Sequence, residues 1–455
     1  MSRFATLARQ CWGDGVAGVL TAVVFYAEYI SLGATLGGHI AGVGKDAAAA
    51  VGSLLVLGAV WISCLSALLW FLPKPLLAGP RTASVLILIV GLNWVKEHVA
   101  NPLVLPTAGM LAMGLMLCVA AAVQLLGLLE CVRNWVKAMP PAISKGFLFM
   151  TAISIVMGTV NQQLGGCLQF SFWPTAAIFI VSVGIACRWA SWSAAQTDWR
   201  VSLKALSLPV GIALAWVGYA LFLPGASSAV SCGTLGALGL QLQTLTDRIP
   251  DALQAQAAFQ GMSMLDWAAV AAIGAVMGLV QLIETLTTLD SIASTRDAPH
   301  LWRRYIAATA LANLLSAPVG LACSSWSAAR SSAVARSFGV GRFVVLIHTL
   351  TLILIASLAT NYIAKLPLLA LAVALTMVAV QMVDVDTEEK VWKPGYAPSG
   401  APANTHAVWL FWWVVGVGFV TGAAIYGLLA GAVLAGWVAW YARFCAKNNR
   451  AAVHV

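Results

Sequence analysis

Long runs of apolar residues, separated by short polar or basic connections, follow one another along almost the whole chain. The first extends over about residues 15–38 and the last ends near residue 441. Most runs reach or approach the ~20 residues that an α-helix needs to cross the hydrocarbon core of a bilayer. About fourteen such helices fit the sequence, which predicts an all-α polytopic membrane protein.

Two of the apolar segments are short and interrupted. The first, LLAGPRTASVLILIVGL, is expected to begin a helix abruptly at Gly79-Pro80, with Arg81 in its first turn. Proline is tolerated there because a first-turn N–H has no partner within the helix. The second, LACSSWSAARSSAVARSFGVGR, begins with small residues and has Arg330 near its start. Free N–H groups and the helix dipole at such starts attract anions.

Each interrupted segment is preceded by an apolar helix that carries a carboxylate. Glu28 lies in the middle of the first helix, and Glu284 lies within LVQLIETLTTLDS, where Thr288 follows one turn later on the same face. An ionisable residue at membrane depth is costly and by default marks a pathway, a relay or a binding site. The order Glu then Arg recurs in both halves, as expected for an inverted repeat with a transporter's central binding site.

Composition and charge agree with a membrane protein. Hydrophobic residues make up 61% of the 455 residues and charged residues only 9%, whereas about a quarter of a soluble chain is charged. Most lysines and arginines fall on one side when the N-terminus is placed in the cytoplasm. This asymmetry predicts a plasma (bacterial inner) membrane protein with both termini in the cytoplasm, so the net charge of +9 indicates no nucleic-acid partner.

No motif indicates an enzyme, a resident metal or a cofactor. The nine cysteines are scattered without metal-ligand spacing, and the sequence has neither a nucleotide-binding loop nor a nucleophile triad. Cys167 and Cys232 fall in predicted outer loops, and whether they pair stays open. We expect no cofactor beyond a coupling proton or sodium ion.

The second half of the chain resembles the SulP (sulfate permease) family of anion transporters. In the first half, AGVLTAVVFYAEYISLG and LLAGPRTAS are similar to the family's first span and to the start of its third. In the second half the resemblance is carried by the proline-led LPLLALAVAL and by Glu284-Thr285, Ala312-Asn313 and Ala329-Arg330-Ser331 followed by Arg336.

The resemblance implies a fold of fourteen helices in two inverted seven-helix repeats. A core domain would comprise residues 1–130 and 264–360, and a gate domain residues 131–223 and 361–455. Residues 224–263 would form an extracytoplasmic linker. In this family the core moves like an elevator against a dimeric gate, which implies a homodimer.

The family binds its anion between the facing starts of the short helices 3 and 10. Glu284 and Thr288 match the pair that couples a cation or proton in some members. The resemblance implies substrate contacts at Glu28, Pro80, Arg81, Thr82, Ser327, Ala328, Ala329 and Arg330.

Several positions depart from the family pattern. Arg81 replaces a residue that is usually small, hydroxylic or aromatic, and Glu28 stands where most members have glutamine. Ala27 replaces the proline that precedes this position. The family's usual C-terminal regulatory (STAS) domain is not expected here.

The predicted function is secondary active transport of a small oxyanion, with sulfate, bicarbonate or a similar anion as substrate and a proton or sodium ion as coupling ion. Two arginines favour an oxyanion or a carboxylate over chloride. A nucleobase-type proton symporter of the same architecture, an uncoupled anion channel and a non-transporting scaffold stay open as alternatives. The nucleobase class uses carboxylates in spans 8 and 10, whereas span 10 here carries Arg330.

Overall fold

The computed structural model describes most of the apolar segments, and the described residues are mainly helical. They are residues 3–40, 45–70, 72, 76–132, 142–143, 146, 149–150, 152–153, 156–157, 164–194, 207–223, 252–292, 301–327, 330–331, 341–358, 365, 367–382, 405–421, 427, 430–431, 433–434 and 436. The elements are α1 (Arg3–Gly37), α2 (Lys45–Leu69), β1 (Ala78–Gly79), α3 (Thr82–His98), α4 (Leu105–Leu126), α5 (Gly165–Phe170), α6 (Phe172–Ala194), α7 (Ser207–Phe222), α8 (Ala252–Gln260), α9 (Met264–Ile292), α10 (Leu301–Ser316), a 3-10 turn (Ala317–Val319), β2 (Ser325–Trp326), α11 (Phe343–Leu358), α12 (Leu368–Met382) and α13 (Thr405–Thr421).

Several helices have the length and composition of membrane spans. Among the described residues, five helices are long and apolar enough to cross a bilayer: Cys11–Gly37, Ala48–Leu69, Leu105–Leu126, Phe172–Trp189 and Met264–Leu286. Shorter apolar helices occur at Pro209–Phe222, Phe343–Leu358 and Trp409–Val420. These helices confirm the predicted all-α, multi-pass membrane protein.

Contacts divide the chain into two compact units. The first comprises Met1–Glu130 and Thr159–Met377, and the second comprises Cys131–Gly158 and Val378–Val455. All predicted site residues belong to the first unit. The division of the chain into core and gate domains, with the boundaries given above, stays a prediction.

Small residues allow helices of the first unit to approach closely. A Cβ on Gly52 of α2 would lie 2.5 Å from the backbone nitrogen of Gly37 in α1. Cβ atoms on Gly274 and Gly278 of α9 would lie 2.7 Å from Cα atoms of α4. Such distances leave no room for a side chain, so glycine is required at these crossings. The crossings fix α1 against α2 and α9 against α4, and thereby position the carboxylates of α1 and α9.

A separate apolar core joins α6, α7 and α12. Ile178, Ala215 and Val373 are buried in it. Cys167 of α5 also belongs to this core and is disulfide-bonded. The predicted candidate partner, Cys232, lies outside the described residues.

Two extended segments interrupt the helices of the first unit. Strands β1 and β2 pair antiparallel, so that Ala78 lies opposite Trp326 and Gly79 opposite Ser325. The N–H of Ser327 extends this pairing by donating to the carbonyl of residue 77 at 3.2 Å. Non-helical backbone at membrane depth is tolerated only where the protein satisfies its polar groups. The ladder does so here and brings the two interrupted segments together.

The third helix begins two to three residues later than predicted. Gly79 belongs to β1, and α3 begins at Thr82. Arg81 precedes the helix as its N-cap, with extended backbone at φ −111° and ψ 146°. Pairing with β2 keeps Gly79 extended, and Pro80 has no N–H to donate to either element. Arg81 therefore lies at the junction between strand and helix.

A buried polar network supports the segment that leads into β2. Asn313 of α10 donates from Nδ2 to the side-chain oxygens of Gln124 and Gln281, each at 3.1 Å. Its Oδ1 accepts from the backbone N–H of Ser324 at 2.8 Å. Gln124 also donates to Gln281 at 2.7 Å. This network links α4, α9 and α10 to the extended backbone and fixes the position of β2 between them.

Candidate functional site

Arg330 is held in a buried ion pair with Glu28 of α1. Its Nη2 lies 2.5 Å from Glu28 Oε1, and its Nε donates to Glu28 Oε2 at 3.3 Å. Nη2 also donates to the carbonyl of Pro80 at 2.7 Å. The side chain is 1% exposed, and its guanidinium carbon lies 4.6 Å from the ring centre of Tyr29. Glu28, Pro80 and Tyr29 thus enclose this arginine from several sides.

Arg81 is the more accessible arginine of the site, with 18% of its side chain exposed. Its Nη1 donates to Ser327 Oγ at 2.5 Å, and its Nε lies 3.6 Å from Glu284 Oε1. That separation is too long for a hydrogen bond, so the contact between Arg81 and Glu284 is an ion pair only. Glu284 Oε2 accepts from Ser325 Oγ at 2.8 Å.

Helical hydrogen bonding begins directly after each of the paired strands. The carbonyl of Arg81 accepts from the N–H of Val85 at 2.9 Å, and that of Ser327 accepts from Ser331 at the same distance. Ser327 Oγ also accepts from the N–H of Arg330 at 3.2 Å, so Ser327 caps this helical turn. The start of α3, with the positive end of its backbone dipole, and a helical turn at Ser327 therefore lie beside the paired strands.

Gly79 allows the Arg330 guanidinium to lie directly against β1. A Cβ at this position would lie 3.0 Å from Arg330 Nη1, 3.1 Å from Cγ2 of Val60 and 3.6 Å from Cε1 of Tyr29. The first two distances are shorter than ordinary van der Waals contacts. Any larger residue would therefore require the arginine or Val60 to shift by at least a few tenths of an ångström.

The structure brings most of the predicted site residues together. Thr82 is buried as the first residue of α3. Ala328, Ala329 and the side chain of Thr288 lie outside the described residues. Those placed around the paired strands are Glu28, Pro80, Arg81, Thr82, Glu284, Ser327 and Arg330.

The ion pairs cross between the two halves of the chain. Glu28 from the first half binds Arg330 from the second, and Arg81 from the first half lies beside Glu284 from the second. Formally, the two carboxylates balance the two guanidinium groups. The start of α3 adds the positive end of its backbone dipole.

Two residues at the site were missed in the sequence. Ser325 orients Glu284, and the ring of Tyr29 covers a face of Arg330. Ser325 lies two positions before Ser327, and residues two apart point to the same side of an extended segment. That spacing is a usable signal only once the segment is known to be extended. An apolar helix offers no comparable signal for Tyr29.

Comparison with solved structures defines the class of fold. The chain has the inverted-repeat membrane fold of the SulP and SLC26 transporters, as the resemblance to the SulP family implied. The sequence matches no protein-family model and no curated protein.

Three solved structures illustrate the similarity. The transmembrane domain of the cyanobacterial bicarbonate transporter BicA is 18% identical, with a TM-score of 0.60 over 93% of this chain and 97% of that one. SLC26A9 is 10% identical, with a TM-score of 0.63 over 96% of this chain. The murine Slc26a9 anion transporter in its inward-facing state is 11% identical, with a TM-score of 0.60 over 94%. This chain spans 66% and 68% of those two chains.

Proposed function

We propose that this protein is a secondary active transporter of small oxyanions, such as sulfate or bicarbonate, across the plasma membrane. One observation carries the proposal: the partly exposed Arg81 lies at the start of α3 and beside Ser327, inside a multi-pass membrane fold. Guanidinium and helix N–H groups together bind oxyanions well. The named neighbours support it, because one is described as a bicarbonate transporter and another as an anion transporter.

Arg81, rather than Arg330, is proposed as the arginine that contacts the substrate. Nε and Nη2 of Arg330 are already bound to Glu28 and Pro80. Arg81 makes one hydrogen bond to Ser327 and a loose ion pair with Glu284. An incoming anion can therefore bind Arg81 without breaking a buried, hydrogen-bonded pair. Arg330 would act through its charge and by holding β1 in place.

Glu284 is the proposed coupling group. It lies beside the substrate arginine, so a proton or sodium ion bound to Glu284 would neutralise it and favour the anion nearby. Thr288, one turn later, is the proposed second ligand for a sodium ion. The transport cycle is proposed to be of the elevator type, in a homodimer formed through the gate domain, with both termini in the cytoplasm.

Uptake into proteoliposomes tests the proposal. Radiolabelled sulfate and bicarbonate would be offered separately, with and without imposed proton and sodium gradients. We expect gradient-stimulated uptake of at least one anion, lost in Arg81→Ala and no longer gradient-dependent in Glu284→Gln. Glu130→Gln is the matched control, because Glu130 has 72% of its side chain exposed and lies outside the site.

Each alternative makes a different prediction in the same assay. An uncoupled channel would show anion flux far above carrier turnover, with no stimulation by either gradient. A scaffold would show no flux, and a nucleobase symporter would take up labelled uracil but neither anion. Uptake that is unchanged in Arg81→Ala would contradict the proposed site.

A further inference from the structure

The two oxygens of Glu284 have different surroundings. Oε2 accepts a hydrogen bond from Ser325 Oγ at 2.8 Å. Oε1 is buried, and among the described residues no donor forms a hydrogen bond to it. The nearest charge is Arg81 Nε at 3.6 Å, beyond hydrogen-bond distance. The side chain is only 9% exposed, and a buried acceptor in a native protein normally has a donor.

We infer that Glu284 Oε1 accepts a hydrogen bond from the substrate, and that the site therefore selects oxyanions that still carry an O–H group. The inference rests on the proposed function and narrows its substrate class. Because Arg81 lies next to this oxygen, an anion bound to Arg81 also faces Glu284.

The charge of Glu284 explains why an O–H group matters. While Glu284 carries no proton, an oxyanion without a proton would place one of its oxygens against a carboxylate oxygen, with no hydrogen between them, and the two charges would repel. A protonated oxyanion donates its O–H to Oε1 while its other oxygens accept from Arg81 and the helix start. A site built to hydrogen-bond a substrate hydroxyl rejects analogues that lack it. Bicarbonate and hydrogenphosphate carry the group; sulfate and acetate at neutral pH do not.

Ser325 fixes which oxygen of Glu284 faces the substrate. Its hydroxyl donates to Oε2, which leaves Oε1 as the oxygen that faces Arg81. Ser325 itself is fixed because β2 pairs with β1 at Gly79. The carboxylate therefore cannot rotate freely to avoid an unprotonated anion.

Two matched pairs of anions test the inference by calorimetric titration of the purified, full-length protein in detergent, near pH 8. Hydrogenphosphate and sulfate are both tetrahedral dianions there and differ by one O–H group. Bicarbonate and acetate are both planar monoanions in which hydroxyl replaces methyl. In one pair or both, we expect the anion that carries an O–H group to bind at least about tenfold more tightly than its partner. The pair that shows this difference identifies whether the site accepts tetrahedral or planar anions.

Other outcomes separate this inference from the proposed function. Binding without discrimination in either pair would overturn the inference and leave oxyanion transport standing. Absence of binding by all four anions would overturn both.

The variant Glu284→Gln provides an independent check. A glutamine amide can donate as well as accept. In the pair of anions that the wild-type protein distinguishes, we therefore expect the ratio of the two dissociation constants to fall to about threefold or less. The fall should come mainly from tighter binding of sulfate or acetate. Glu130→Gln makes the same change on an exposed carboxylate and should keep the wild-type ratio. An unchanged ratio in Glu284→Gln would overturn the inference, and the wild-type ratio tests it even where the variant does not fold.

Discussion

Neutralising Glu28 tests whether the buried pair with Arg330 stabilises the fold. In Glu28→Gln the guanidinium stays charged and 1% exposed, and it loses the negative charge beside it; the carbonyl of Pro80, the ring of Tyr29 and the new amide oxygen remain as uncharged contacts. A guanidinium cannot lose its proton in a protein. Two unit charges about 4 Å apart at an effective dielectric constant near 20 interact by about 4 kcal/mol. Breaking a buried pair typically costs about 3–5 kcal/mol. We expect Glu28→Gln to lower the free energy of unfolding by about that amount.

A double-mutant cycle measures this interaction. Glu28→Gln, Arg330→Gln and the double variant would each be titrated with SDS in mixed micelles, with unfolding followed by tryptophan fluorescence. The double variant should lose less stability than the sum of the single variants by at least about 2 kcal/mol, because neither charge is then left alone. Additive losses would refute the claim that the pair is energetically coupled.

Three further substitutions have defined consequences. Gly79→Val should displace the Arg330 guanidinium, reduce anion uptake at least about tenfold and destabilise the protein by about 1–3 kcal/mol; uptake in Gly79→Ala, which adds fewer atoms, should fall less. Ser327→Ala removes a helix cap and the acceptor of Arg81, so it should cost about 1 kcal/mol of unfolding free energy and raise the KM for the anion in uptake assays. Asn313→Ala leaves several buried polar partners unsatisfied and should cost about 2–4 kcal/mol in SDS titration. Asn313→Asp should cost at least as much, because a charged oxygen would replace the donor that faces the side-chain oxygens of Gln124 and Gln281.

The sequence predicted which residues meet but not how they pair. Glu28, Arg81, Glu284 and Arg330 were identified because each is ionisable within an apolar segment, and the cost of burying a charge makes such residues conspicuous. The sequence order suggested two equivalent Glu–Arg sets, one in each half. The partners are instead exchanged between halves, because β1 and β2 pair side by side. Two strands of two residues each carry no periodic signal, so the sequence could not reveal this pairing.

The role of each arginine likewise depended on its neighbours. From residue type alone, Arg330 at the start of a short helix was as good a substrate ligand as Arg81. The structure separates them through burial: Arg330 is enclosed by Glu28 and the Pro80 carbonyl, whereas Arg81 keeps an exposed fraction of 18%. No sequence pattern indicates that a backbone carbonyl accepts a hydrogen bond from an arginine far away in the chain.

The exchange of partners gives a physical reason for both carboxylates. Two guanidinium groups beside the start of α3 would repel one another in a membrane, where water screens charges poorly. Each half of the chain contributes one arginine and one carboxylate, yet each arginine lies beside the carboxylate of the other half. Each arginine therefore has a carboxylate beside it only when the two halves are assembled. Of the two pairs, the hydrogen-bonded Glu28–Arg330 pair is expected to stabilise the assembled site, and the looser Arg81–Glu284 pair is the one proposed to bind the anion.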